Sequence, residues 1–197
     1  SGWSRGDMKG RVYRANAAKG LRGPSGAAAG TLTPVIDTHC HLTFPEYGGR
    51  VDSVLADARA AGVFGAITIS TTTDDAQRAL ALAQSHTDLW CSAGVHPLYA
   101  DRPADWAAMR AVGLDPKCVA WGELGLDRHY AEPPQEQQRA VLAEQLDHLL
   151  AWRAEDPRLD KPIVVHCREA FDELEVRVKE LVAERERVVQ ALMQGNA

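Results

Sequence analysis

The residues best able to do chemistry are four histidines and a glutamate, each in or beside a short apolar run. "VIDTHCHLTF" sets His39 and His41 two residues apart, with Asp37 two residues before them. "WCSAGVHP" carries His96, "KCVAWGELGLD" carries Glu123, and "KPIVVHCREA" carries His166 with Arg168 two residues on. Imidazole nitrogens and carboxylates are ligands for zinc, manganese or iron as well as magnesium. An arginine beside them suits an anionic substrate such as a phosphate; the competing reading of Arg168 is a salt bridge with Glu169 or another acid. For the first stretch, two further readings compete: a fragment of a Cys/His zinc finger, and a core strand whose histidines are merely hydrogen-bonded.

Strand alternation narrows these. Side chains on a strand point to opposite faces in turn, so Asp37, His39 and His41 share one side while Ile36, Thr38, Cys40 and Leu42 share the other. Cys40 then faces away from the histidines, and no second ligand pair of finger spacing follows, which argues against a finger. Asp37 is expected beside the histidines, as a carboxylate that holds an imidazole tautomer. Gly122 and Gly125 around Glu123 would let backbone or substrate approach closely, and a glutamate there can bridge two cations.

Five apolar runs must position these groups. They read as strands at Val35–Cys40, 63–70, 90–97, 117–127 and 161–167, short and bounded by turn residues as in buried parallel sheets. Between them lie helical patterns such as "RVDSVLADARAAG" and "DDAQRALALAQSH", the latter expected to be capped by Asp74 or Asp75. Strand–helix alternation predicts an α/β fold, either a doubly wound sheet or a (β/α)8 barrel of the TIM type. Both bind ligands at the C-terminal ends of their strands, where His39, His41, His96, Glu123 and His166 fall. His86 and His148 read as solvated helix residues and His129 as a loop histidine.

Charge divides the chain. Residues 1–33 hold six Lys or Arg against Asp7 alone, a surplus of +5, which leaves −10 on residues 34–197 of a chain totalling −5. An acidic body argues against a broad basic nucleic-acid surface. It leaves room for a local cationic site made by bound metal. The basic segment 1–33 reads as a disordered leader: a transit segment to an organelle, or a plain flexible start. Cys40, Cys91, Cys118 and Cys167 form no C-x-x-C pair and read as free thiols of an intracellular protein, cytoplasmic or nuclear unless the leader directs it to an organelle. No apolar run reaches the roughly 20 residues of a membrane span.

In order, "DTHCHLTF", "GVHP", "GELGLD" and "KPIVVHCREAFDEL" resemble the TatD-related metal-dependent hydrolases, often called TatD deoxyribonucleases, over Val35 to Leu174. The resemblance implies a (β/α)8 barrel that uses two divalent ions, magnesium with zinc or manganese as alternatives, to degrade DNA from 3′ to 5′. It also implies that His39 and His41 hold one ion, that Glu123 is catalytic and bridges both, that His166 holds the second, and that His96 and Arg168 meet substrate. The related amidohydrolases that cut C–N bonds use a carboxylated lysine where this chain has Glu123, which favours phosphoester hydrolysis.

The family pattern continues with a strand-six histidine and a strand-eight aspartate, and this sequence shows neither. About 250 residues make a typical barrel, so residues 34–197 are expected to form a C-terminally truncated barrel of about five βα units. Another reading is therefore an inactive partial barrel serving as an interaction module. The last helix pattern spaces Phe171, Leu174, Val178, Leu181, Arg185, Val188 and Leu192 by threes and fours. That fits an outer barrel helix, or a seam for self-association.

Overall fold

The computed structural model describes residues 35–177 and Lys179. The leader expected over residues 1–33 lies outside the described residues, as does most of the three-and-four seam, from Val178 onward.

Five strands alternate with four helices: β1 (Val35–Cys40), α1 (Val51–Ala60), β2 (Val63–Thr68), α2 (Thr73–Gln84), β3 (Leu89–Ala93), α3 (Trp106–Leu114), β4 (Cys118–Asp127), α4 (Gln135–Glu155) and β5 (Ile163–Arg168). Residues 171–177 begin a further helix. Every strand pair is parallel and the sheet order is β1-β2-β3-β4-β5. A doubly wound sheet needs a reversal of strand order, and none occurs here. Each strand pairs with the next one in the chain, so successive crossovers all step the same way, which is how a β/α barrel grows. The fold is thus five consecutive units of a TIM-type barrel.

The core lies where the middle strands meet their helices. Ala76, Ala79 and Ala83 are fully buried, so α2 sits close on β3, whose Leu89 and Cys91 are equally buried. On β4, Trp121 is 1% exposed and donates from Nε1 to the Leu159 carbonyl at 2.9 Å. Gly113 makes room for it, since a Cβ there would fall 2.1 Å from the indole ring. The flanks differ: Val35, Ile36 and Phe64 are 54–60% exposed, and Ile163 and Val165 of β5 are also uncovered.

Local chemistry departs from expectation in three places. Helix α2 is capped by Thr72, not Asp74 or Asp75; its Oγ1 accepts from Asp75 N at 3.0 Å, while the buried Asp75 carboxylate accepts from Thr71 N at 2.9 Å. A hydroxyl one residue before the helix reaches the amide of the third helical residue better than an acid already inside it. His148 is not a solvated residue but lies between Trp106 and Trp152, at 5.1 and 5.2 Å between ring centres. His86 is half-buried and pairs through Nε2 with Asp52 at 2.9 Å. Among the described residues, no helix is long and apolar enough to cross a membrane.

Candidate metal centre

Glu123 is the centre of the site. It lies inside β4, which runs on to Asp127, so it does not close its strand as the sequence suggests. Gly122 and Gly125 have φ of +115° and +152°, and a Cβ on either would strike the β5 backbone, at Val164 O (2.3 Å) and His166 O (1.9 Å). The close approach those glycines permit is therefore that of β5, which brings His166 against Glu123.

Each carboxylate oxygen of Glu123 faces a different pair of imidazoles. Oε2 lies 3.2 Å from His39 Nε2 and 3.9 Å from His41 Nε2. Oε1 lies 2.9 Å from His166 Nδ1 and 3.9 Å from His96 Nε2. Two groups with ligand atoms within 4.8 Å of one another result, His39–His41–Glu123 and His96–Glu123–His166, sharing the glutamate. Nitrogen and carboxylate donors around a common carboxylate suit divalent cations.

Ring orientations refine the donor sets. The His41 Nδ1 lies 2.9 Å from the Ile69 carbonyl. A carbonyl can only accept, so Nδ1 carries the proton and Nε2 offers a lone pair toward Glu123. His96 is the reverse: its Nδ1 accepts from the Leu98 amide at 3.1 Å. Burial, and then His166, lower its pKa to about 4, so the ring is neutral with its proton on Nε2. Proximity alone groups His96 with the ligands. The amide of Leu98 can only donate, however, and this makes His96 Nε2–H a hydrogen-bond donor into the cluster.

The remaining shifts follow from the same carboxylate. Burial pushes the Glu123 carboxyl up, but hydrogen bonds from His166 and His39 outweigh it and hold the carboxyl well below its ordinary range. The bond to Glu123 raises His39 against its own desolvation. Burial lowers His166, yet Glu123 and Asp127 together bring it above its ordinary value. Desolvation lowers His41.

The other expected residues are arranged less simply. Asp37 was expected on an imidazole; its Oδ1 instead accepts from the His39 backbone N at 3.0 Å. The two atoms are close in the chain, so the local turn wins over a reach to the ring. Arg168 is exposed, lies over the Tyr130 ring at 5.0 Å, and leaves Glu169 to pair with His129 at 3.0 Å. Cys40 points away from the cluster, with Sγ 3.3 Å from the Ile67 carbonyl and its thiol pushed up to about 12 by burial.

Asp127 is the residue the sequence reading missed. It is fully buried, and its Oδ2 lies 3.1 Å from His166 Nε2. The signal was present: Asp127 ends "GELGLD" four residues after Glu123, an even number of strand positions.

Fold and site together define a partial β/α barrel of the metal-dependent hydrolase kind. Residues 36–194 match the model of the TatD-related DNases, and the chain belongs to that family. It is 36% identical over 148 residues to an uncharacterized metal-dependent hydrolase, YjjV, of Escherichia coli K12, covering 73% of this chain and 54% of that protein. It is 36% identical over 146 residues to the 3′–5′ ssDNA/RNA exonuclease TatD of Erwinia tasmaniensis, covering 70% of this chain and 52% of that one. The crystal structure of the E. coli YjjV protein superposes with a TM-score of 0.65 at 32% identity, over 74% of this chain and 55% of the other. The chain thus spans about half the length of the curated relatives it matches.

Proposed function

We propose that this chain carries the metal-binding part of a 3′–5′ exonuclease site that hydrolyses DNA phosphodiesters with two divalent ions. The observation that carries this reading is the division of Glu123: one oxygen toward His39 and His41, the other toward His166 and His96. The name of the Erwinia relative, a 3′–5′ ssDNA/RNA exonuclease, supports the same substrate class.

In this reading His39 and His41 would hold one ion, His166 the other, and Glu123 would serve both. Two such ions supply an activated water and charge stabilisation for a departing 3′-oxygen. His41 is held with its lone pair inward by Ile69. Asp37 fixes the backbone that carries His39. His96 presents Nε2–H, a neutral donor for a non-bridging phosphate oxygen. Arg168 adds a positive charge near the same strand ends, where an acidic body otherwise repels a phosphodiester. Nitrogen-rich donors accept zinc or manganese as well as magnesium, and magnesium is the ion proposed here.

The test is incubation of the purified chain with 5′-labelled single-stranded DNA and magnesium, manganese or zinc. Stepwise shortening from the 3′ end, absent in Glu123→Ala, is the expected result. DNA left intact by the wild-type chain refutes the activity for this chain. One observation favours a second reading, the interaction module: β1 and β5, the outer strands of the sheet among the described residues, carry exposed Val35, Ile36, Ile163 and Val165, and exposed apolar edges recruit partners. Sedimentation of the same sample separates the two, since a module associates without turnover.

A further inference from the structure

Helix α4 packs on the sheet with a stripe at three- and four-residue spacing: Gln138, Leu142, Gln145, Leu149 and Trp152, all buried. Two glutamines in such a stripe call for a reason, because a buried amide without partners is costly. Both amides are bonded to backbone at oxygen and at nitrogen, and each grips a residue next to the candidate centre. Gln145, 2% exposed, accepts from Val95 N at 2.8 Å and donates to Val95 O at 3.0 Å. Val95 is the residue before His96. Gln138, 1% exposed, accepts from Asp127 N at 2.9 Å and donates to the Pro133 carbonyl at 2.9 Å. Asp127 is the residue whose carboxylate meets His166 Nε2.

We propose that Gln138 and Gln145 are positioning residues, two buried amides on one face of α4 that hold the backbone beside His96 and the backbone of Asp127, the partner of His166, so that both rings keep their places around Glu123. Gln145 grips both polar groups of Val95, so the loop after β3 cannot slide and His96 keeps its reach. Gln138 fixes the end of β4, so Asp127 stands where it accepts the Nε2 proton of His166 and leaves Nδ1 toward Glu123. A leucine at either position would fill the same space but would leave the strand-end backbone unheld. His39 and His41 have no such support from α4; the Ile69 carbonyl of the neighbouring strand's end orients His41. The inference rests on the metal-centre reading for its purpose and on the hydrogen bonds alone for its geometry.

The experiment compares the full chain with Gln138→Met, Gln145→Met and Asp127→Asn, each labelled with 15N-histidine and free of metal. Long-range NMR of the imidazoles should show Gln145→Met disturbing His96, and Gln138→Met and Asp127→Asn disturbing His166. The signals of His39 and His41 should stay in place. Manganese or zinc titration should then show the second ion weakened about 10–100-fold in Gln138→Met, the range for losing support behind a ligand, with the first ion unchanged within about 2-fold. Unaltered His96 and His166 signals overturn the proposal. So does an equal disturbance of all four rings, which marks a general structural role. Should Gln138→Met fail to fold, Asp127→Asn carries the His166 arm. A wild-type chain that binds no ion defeats the metal-centre reading while the ring signals still decide this one.

Discussion

The two histidine pairs around Glu123 are built in opposite ways. His39 and His41 come from one strand, two residues apart, and their side chains are 42% and 26% exposed. His96 and His166 are 70 residues apart in the chain, come from the loop after β3 and from β5, and are 9% and 17% exposed. A pair on one strand needs only the two-residue period to share a face. A pair from two distant segments needs the sheet order, the glycine-permitted approach of β5 to β4, and a helix behind it. The first pair is therefore simple and open, and the second is buried and dependent on the rest of the fold.

The largest expected effect comes from removing what the pairs share. Glu123→Ala should abolish retention of both ions and any 3′ degradation, measured by metal analysis after dialysis and by the DNA assay. One ion retained at wild-type affinity would mean that the carboxylate serves a single pair. His39→Ala and His166→Ala then divide the comparison, each expected to release one ion and spare the other.

A second contrast follows the same inner and outer division. Trp121 fills the space between β4 and the helices, whereas Phe64 on β2 is 60% exposed. Trp121→Ala should cost about 3–5 kcal/mol in urea unfolding. Phe64→Ala should stay within about 0.5 kcal/mol. A large loss at Phe64 would show that the outer flank is covered in solution, as the interaction-module reading requires.

What was legible in the sequence follows this division too. The five strands and the alternation of helices could be read because each apolar run is short and closed by turn residues. The His39–His41 pair could be read from spacing. The choice between a doubly wound sheet and a barrel could not, because strand order depends on contacts between distant segments; only the family resemblance favoured the barrel. Asp127, Gln138 and Gln145 escaped for a related reason: their roles exist only after β4, α4 and β5 have met. A glutamine at a core position of an amphipathic helix was the one local signal, and it is readable only when polar residues in the buried stripe are treated as questions. Asp37 shows the converse error, since alternation gave it a face but its own backbone was the nearer partner.

Protonation sharpens the comparison by a smaller amount. In metal-free protein, His39 and His166 hold protons more tightly than an ordinary imidazole at 6.5, and the Glu123 carboxyl sits below its ordinary 4.5. The histidine contributions are complete below 6.5 and vanish as pH rises through the raised folded-state values. The glutamate contribution is complete above 4.5 and lost as pH falls through its lowered value. Both are present between 4.5 and 6.5. His41 and His96 oppose them, because both are lowered and acidification toward His96's value of about 4 charges buried rings. Glu123→Gln should therefore destabilise the metal-free chain more at pH 6 than at pH 8. The difference should be about 1 kcal/mol, since His39 is open enough for solvent to screen its pair. Urea unfolding at the two pH values measures it, and a gap independent of pH would mean that the histidines carry no proton.

The smallest effect on the reaction is expected outside both pairs, at Arg168. Its guanidinium lies on Tyr130 at the rim and touches neither carboxylate of the centre. A charge so placed attracts a polyanion over a distance of one Debye length, about 10 Å at 0.1 M salt. It does not orient the reacting atoms. Arg168→Gln should then raise KM for single-stranded DNA by at most about 5-fold, the equivalent of about 1 kcal/mol for an exposed ion pair. The turnover rate should hold, and the difference should fade as salt is raised. A drop in turnover that survives high salt would place Arg168 on the scissile phosphate itself, joining the rim to the buried pair.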